Sequence, residues 1–255
     1  MSARFLLTEE LSRWCDCGRP IRIWLRDDDG HMPCNQFTTL MRVCAEFSLH
    51  PTLCLVPGRM TSEFPDLVRQ HSGAWFVAQH GFVHANHEPA GRPSEFGSNR
   101  ATAAAAAAAD IRKGRRILER EFDDRFMKVF VPPWNSISPA IARSLPALGF
   151  IGLSASGNKD AYRNVRGLCM AGAHVDLMNW STHCGKEPDD VFHRLRIVFE
   201  RKRTGTFSRS EPVGLLTHHI AMDRTAWNTL ACVGEIFAGA HARWLATNEV
   251  FCGQA

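Results

Sequence analysis

Tyrosine is nearly missing from this chain, one residue in 255, and its 30 basic and 26 acidic residues leave a net charge of only +4. A nucleic-acid surface asks for a basic stripe interleaved with aromatics. Here the basic residues are scattered, with only short clusters such as IRKGRR and ERKRTG, so no nucleic-acid partner is expected. No stretch approaches 18 uninterrupted apolar residues, which excludes a membrane-spanning helix from the expectations. The opening MSARFLLTEELSRW has no apolar core long enough for a secretory signal. Nine cysteines are an odd number, and Cys15, Cys17, Cys34, Cys44, Cys54, Cys169, Cys184, Cys232 and Cys252 include no C-x-x-C pair, which removes zinc-finger and thioredoxin patterns. Free thiols in a reduced, cytoplasmic protein are the expectation. Internal repeats and a recognisable linker are also missing, and 255 residues at 45% hydrophobic composition suffice for one core, so residues 1–255 are expected to form a single domain.

What is present is an alternation. Short runs of β-branched, aromatic and aliphatic residues predict strands at 21–27, 52–57, 74–79, 127–132, 150–156, 173–178 and 213–218. Between them, helical spacing or composition predicts helices at about 36–48, 62–71, 101–122, 138–147, 187–202 and 223–247. The segment ATAAAAAAAD looks like low complexity, but it runs into IRKGRRILEREF, and alanine has the highest helix propensity. One alanine-rich outer helix is therefore expected. Strand followed by helix, repeated, implies parallel strands covered by helices.

In an α/β barrel the loops that follow the strands converge on the active site. The first predicted strand ends there in RDDDG. Three adjacent carboxylates repel one another, and a cation or a shared proton offsets the repulsion; the alternative is a solvated turn, since Asp and Gly are ordinary turn residues. After the third strand comes HGFVHANH, with His80 and His84 at H-x-x-x-H spacing and His87 beyond. Twelve histidines in 255 positions give about half of one such pair by chance, so position counts for more than spacing. The pair lies at the same end of the strands as the aspartates. Two imidazoles and one carboxylate form a facial set that leaves room for water and substrate, and a second carboxylate beside the set can act as general base. Further strand ends bring VPPWN with Trp134 and Asn135, VDLMNW, and LLTHH, where His218 or His219 is a candidate general acid.

In this order the motifs resemble those of the polysaccharide deacetylase superfamily, the family 4 carbohydrate esterases related to chitooligosaccharide, chitin and peptidoglycan deacetylases, over about residues 21 to 219. The resemblance implies a distorted (β/α)7 TIM-like barrel of the glycoside hydrolase/deacetylase type. It implies Asp28 as catalytic base, Asp29 with His80 and His84 as metal ligands, and His218 as acid. DLMNW is similar to the family's aspartate-to-tryptophan motif, which maps Asp176 and Trp180 and sets Asn179 where aspartate is usual; these two join Trp134 and Asn135 as expected substrate-binding residues. The implied cofactor is one divalent metal ion, often zinc, with cobalt, nickel or manganese as alternatives. Its activated water would attack an acetamide carbonyl.

Two departures accompany the resemblance. Val131 stands where the family's third motif carries the arginine that orients the base, and Arg26 is the nearest substitute. The triple aspartate also leaves two registers open, because Asp27 and Asp29 alternate with Asp28 on a strand. The pair is either Asp27/Asp28 or Asp28/Asp29, and the glycine favours the later one. The VPPWN and HGFVHANH forms resemble a less characterised cytoplasmic branch. The expected function is metal-dependent hydrolysis of a non-peptide C–N bond, N-deacetylation of a small-molecule or oligosaccharide substrate. The alternatives are a non-sugar amidohydrolase or esterase on the same fold, or a non-catalytic carbohydrate- or metal-binding protein. A homo-oligomer is left open.

Overall fold

The computed structural model describes residues 1–156, 165–240 and 242–251. Helix α1 (Ala3–Asp16) leads into strand β1 (Arg22–Gly30). Then α2 (Asn35–Glu46), β2 (Pro51–Leu55), α3 (Phe64–Gln70) and β3 (Phe76–His80) alternate. A long loop carries a single helical turn, α4 (Ser98–Ala101), before α5 (Ala104–Phe122), β4 (Phe126–Val131), α6 (Pro139–Ser144) and β5 (Gly152–Leu153). Beyond these come β6 (Cys169–Met170), β7 (Val175–Asp176) and a hairpin of β8 (Met178–Asn179) and β9 (Cys184–Gly185). The chain continues with α7 (Pro188–Thr204), β10 (Val213–Thr217), α8 (Arg224–Gly239), β11 (Arg243–Trp244) and α9 (Thr247–Phe251).

The main sheet runs β6-β5-β4-β3-β2-β1-β10-β7, with β11 on β1, and every pairing is parallel. Its two ends belong to one kinked stave. The amides of Cys169, Ala171 and Ala173 donate back to the β5 side, and those of His174 and Leu177 donate to the β10 side. The sheet thereby closes into a distorted (β/α)7 barrel, as the resemblance implies.

Strand alternation divides the core. Ile23, Leu25, Leu53, Leu55, Val77 and Phe130 point outward into the layer beneath the helices. Trp24, Cys54, Ala78, Val129 and Val131 point inward, where Val250 and Phe251 of α9 fill the lower end of the barrel. Phe251 meets Trp24 edge to face at 5.7 Å between ring centroids, and Thr52 shares a 2.7 Å hydrogen bond with Thr247. The upper interior turns polar with Arg26, Asp28 and His80, all buried.

Several expectations need correcting. The helix expected over 223–247 stops at Gly239, and the chain then adds β11, which pairs Arg22↔Arg243 and Ile23↔Trp244, and the plug helix α9. Segments of two and five residues carry too little periodicity to read. Residue 241 of that expectation, and Cys252, lie outside the described residues. The helix expected over 101–122 is interrupted at Thr102 and Ala103, where the Thr102 hydroxyl donates to the Asn99 carbonyl and Ala103 leaves helical geometry. Helix α1 and the β8–β9 hairpin were not expected. Leu7, Leu11 and Trp14 dock α1 against α7, where Trp14 meets Phe199 at 5.6 Å, and Arg203 pairs with buried Glu10. Among the described residues no helix is long and apolar enough to cross a membrane.

Leu11 is 1% exposed. Leu11→Ala should cost about 2–5 kcal/mol of unfolding free energy, the range for a buried leucine, measured by chemical denaturation; a cost under about 0.5 kcal/mol, as for a surface substitution, would mean that α1 is not part of the cooperative fold.

Candidate metal centre and active-site cavity

RDDDG is strand, not loop: β1 continues through Gly30. Its register against β2 shifts between Asp27 and Gly30, and Asp29 takes a left-handed φ of 71°. In a regular strand Asp29 would face away from Asp28. The bulge turns it inward, so that both carboxylates line one cavity. Asp27 points the other way. It accepts from the Thr217 hydroxyl at 2.7 Å and the His219 amide at 3.0 Å, and pairs with the His219 ring.

His80 ends β3, and His84 reaches it across a tight loop rather than along a helix. Gly81 makes that loop possible. Its φ is +61°, and a Cβ there would lie 2.0 Å from Glu95 Oε2 and 2.6 Å from Pro133 Cγ. Glu95 fixes the turn by accepting from the amides of Phe82 and Val83 at 3.0 and 2.8 Å. Asp29 Oδ1 then sits 3.1 Å from His80 Nε2 and 3.2 Å from His84 Nε2.

These atoms fit a metal ion. The three ligand atoms lie within 4.8 Å of one another, which no other His/Cys/Asp/Glu group of three does among the described residues. His80 Nδ1 donates to the Val131 carbonyl at 3.0 Å, which directs Nε2 toward Asp29. Asp29 Oδ1 is buried without a hydrogen bond of good geometry. Positive charge must sit between these groups, as protons or as a cation. Burial alone would raise the Asp29 carboxyl, but His80 and His84 outweigh it and hold it well below the carboxylate range. Burial pulls His80 down, while Asp28 and Asp29 together push it above its ordinary value.

Asp28 stands beside this cluster. Arg26, fully buried, donates to Asp28 Oδ2 at 2.9 Å, to Ser154 Oγ at 2.8 Å and to Asn135 Oδ1 at 2.6 Å. Opposite, His218 Nε2 lies 4.0 Å from Asp28 Oδ2 and its Nδ1 lies 3.7 Å from Asp176 Oδ1. Asp176 accepts from the Met178 amide and from Trp180 Nε1, each at 2.8 Å, and Trp180 covers His218 edge to face at 4.6 Å. Trp134, at a left-handed φ of 53°, closes the far wall against His84 at 4.3 Å.

The structure thus brings all nine expected site residues to one cavity of about 540 Å³. Sequence reasoning missed Arg92, Ser156 and His174 in its lining. Arg92 comes from the Gly- and Pro-rich loop after the histidines and donates to the Trp134 carbonyl. No spacing pattern announced these three, because they belong to separate loops. His87 is outside the lining, its backbone tying down the 86–99 loop through Ser94 and Asn99. His183 is exposed beside Trp180.

No protein-family model matches the chain, and no curated protein matches it in sequence. Solved structures do. A CE4 esterase from Streptococcus mutans superposes with a TM-score of 0.59 at 14% identity, over 96% of this chain and 90% of that one. A family 4 carbohydrate esterase from Streptomyces lividans, in complex with acetate, gives 0.55 at 16% identity, over 88% and 91%. A family 4 acetyl xylan esterase from Clostridium thermocellum, in complex with a cobalt ion, gives 0.55 at 12% identity, over 91% and 90%. The chain has the fold of the polysaccharide deacetylase superfamily.

Proposed function

We propose that the protein is a metal-dependent hydrolase that cleaves an amide, N-deacetylating a saccharide-type substrate. One observation carries this reading: Asp29, His80 and His84 converge on one face of a cavity in which a carboxylate held by a buried arginine, Asp28, faces a histidine backed by a carboxylate, His218 with Asp176. A site that only bound sugar or metal has no need of a base and an acid on either side of one point. The similarity to structures solved with acetate and with cobalt supports the same reading.

The residues divide the work. Asp29, His80 and His84 would hold one divalent cation, and this nitrogen and oxygen set suits zinc, with cobalt, nickel and manganese as alternatives. Such a cation, when bound, supplies Lewis acidity that polarises a carbonyl and acidifies water. Asp28 takes the proton from the attacking water. Arg26 holds that carboxylate in place, standing in for the arginine that Val131 displaces. His218 gives its proton to the departing amine, with the Asp176 carboxylate 3.7 Å from its Nδ1. Trp134 and Trp180 offer flat apolar faces on opposite walls, suited to a sugar ring, and Asn135 lies between Arg26 and the cavity. About 540 Å³ accommodates a short saccharide, free or carrier-linked.

Elemental analysis after reconstitution should find near one metal per chain, and the His80→Ala/His84→Ala double variant should lose it. Asp28→Asn should keep the metal and lose about 10²–10⁴-fold in turnover of acetylated sugars, the scale of general base catalysis. Absence of metal from the wild type, or metal with no turnover across acetylated sugars and acetyl esters, would leave a binding protein. Arg26→Met should lower kcat about 10²-fold through misplacement of Asp28, with metal content and KM nearly unchanged; full activity would show that Asp28 needs no positioning by Arg26.

A further inference from the structure

A second polar cluster lies on the outer face of β1, away from the cavity. Asp27 and His219 are each 1% exposed, yet both carry ionisable groups. The hydrogen bonds from Thr217 and the His219 amide, with the ring contact through Nδ1, commit Asp27 to His219. They leave His219 Nε2 buried without a hydrogen-bond partner. The polar group beside it is the thiol of Cys34. Phe37 walls the ring at 5.5 Å, edge to face, with His71 on the other contact of Phe37 at 5.4 Å.

Cys34 is placed to ionise. It is the N-cap of α2 in extended geometry, with the amides of Gln36 and Phe37 beside its sulfur. Its side chain is half-buried, so a reagent of a few atoms can reach it. Burial opposes a charge on His219, but Asp27 outweighs it and lifts the imidazole to about 10. His219 in turn holds the Cys34 thiol below its ordinary value against the opposing effect of burial, with the helix amides assisting. The contrast lies within the same fold: burial pushes the thiols of Cys44 and Cys54 up, and the charge of Asp27 at Cys44 and chiefly of Asp28 at Cys54 adds to that push. The charged and titratable groups around the thiol are thus Asp27 on β1, His219 after β10, and Cys44 and His71 farther off in the same packed layer.

We propose that Cys34 is a reactive thiolate, a site of oxidation by small hydroperoxides, with His219 as its proton partner and Asp27 as the group that orients and charges His219. In the reaction the sulfur attacks one oxygen of hydrogen peroxide. The S–O bond forms as the O–O bond breaks, two electrons pass from sulfur to the peroxide, and the leaving hydroxide takes the proton from His219 Nε2 to depart as water. Cysteine sulfenic acid remains. Asp27 and His219 are the chain neighbours of Asp28 and His218, but the site is tested without any turnover by the cavity.

The test is alkylation of the folded full chain with iodoacetamide from pH 5 to 9, read peptide by peptide by mass spectrometry. Exposed Cys15, Cys17 and Cys184 serve as internal references. The Cys34 alkylation rate should reach its midpoint at a lower pH than that of the three references. Substoichiometric hydrogen peroxide followed by dimedone should label Cys34 first. His219→Gln and Asp27→Asn, checked for folding by circular dichroism, should each return the midpoint to that of the references. The wild-type profile decides even where a variant does not fold: a Cys34 midpoint at or above that of Cys15, or dimedone adducts that form first on another cysteine, would overturn the proposal.

Discussion

Three adjacent carboxylates on one buried strand can coexist only if their charges are separated or neutralised, and the upper half of this barrel is arranged around that constraint. Each aspartate of RDDDG meets a different cation. Asp27 turns outward to His219, Asp28 stays inside against Arg26, and Asp29 is swung by the bulge toward His80 and His84. Without the bulge, Asp27 and Asp29 would share the outer face and Asp28 would stand alone within. The left-handed backbone at Asp29 stores strain that a non-glycine residue adopts only where its surroundings over-determine it. Here they do, with the β2 register on one side and two imidazoles on the other.

Arg26 shows how the fold supports that arrangement. A guanidinium with no exposure is costly unless hydrogen bonds offset its burial, and its two terminal nitrogens make three, to β1, to the loop after β4 and to the stretch after β5. A positioning device of this kind spans the barrel. It also explains why Val131 is tolerated beside the site: that residue contributes a backbone carbonyl to His80, and an apolar side chain to the inner core, in place of a charge. The apolar plug of Trp24, Val250 and Phe251 fills the lower end of the barrel, opposite the polar cavity.

Much of this was legible in the sequence. The order of strands, and the motif at the end of each, follow from periodicity and from polar residues placed where apolar runs stop. What was not legible has physical causes. Alternation alone allowed two aspartate registers, because a bulge is a property of strand pairing that one strand does not encode. The partners of Arg26 lie 109 and 128 residues away, a distance no local pattern bridges. His219 read only as an alternative to His218 in LLTHH, since its own contacts rest on Asp27 and Cys34 arriving from other elements. The closing pieces, β11 and α9, are too short to carry a period, and α1 hid in a stretch whose few apolar residues form one narrow stripe.

The central claim is that the bulge assembles a metal site from Asp29, His80 and His84 while leaving Asp28 free to act. Anomalous diffraction at the zinc edge, from crystals grown with zinc, tests it most directly. The account predicts one strong peak about 2.0–2.2 Å from Asp29 Oδ1, His80 Nε2 and His84 Nε2, with Asp28 still on Arg26. A peak bound through Asp27 or Asp28 in place of Asp29, or no peak at the histidine pair, would contradict it.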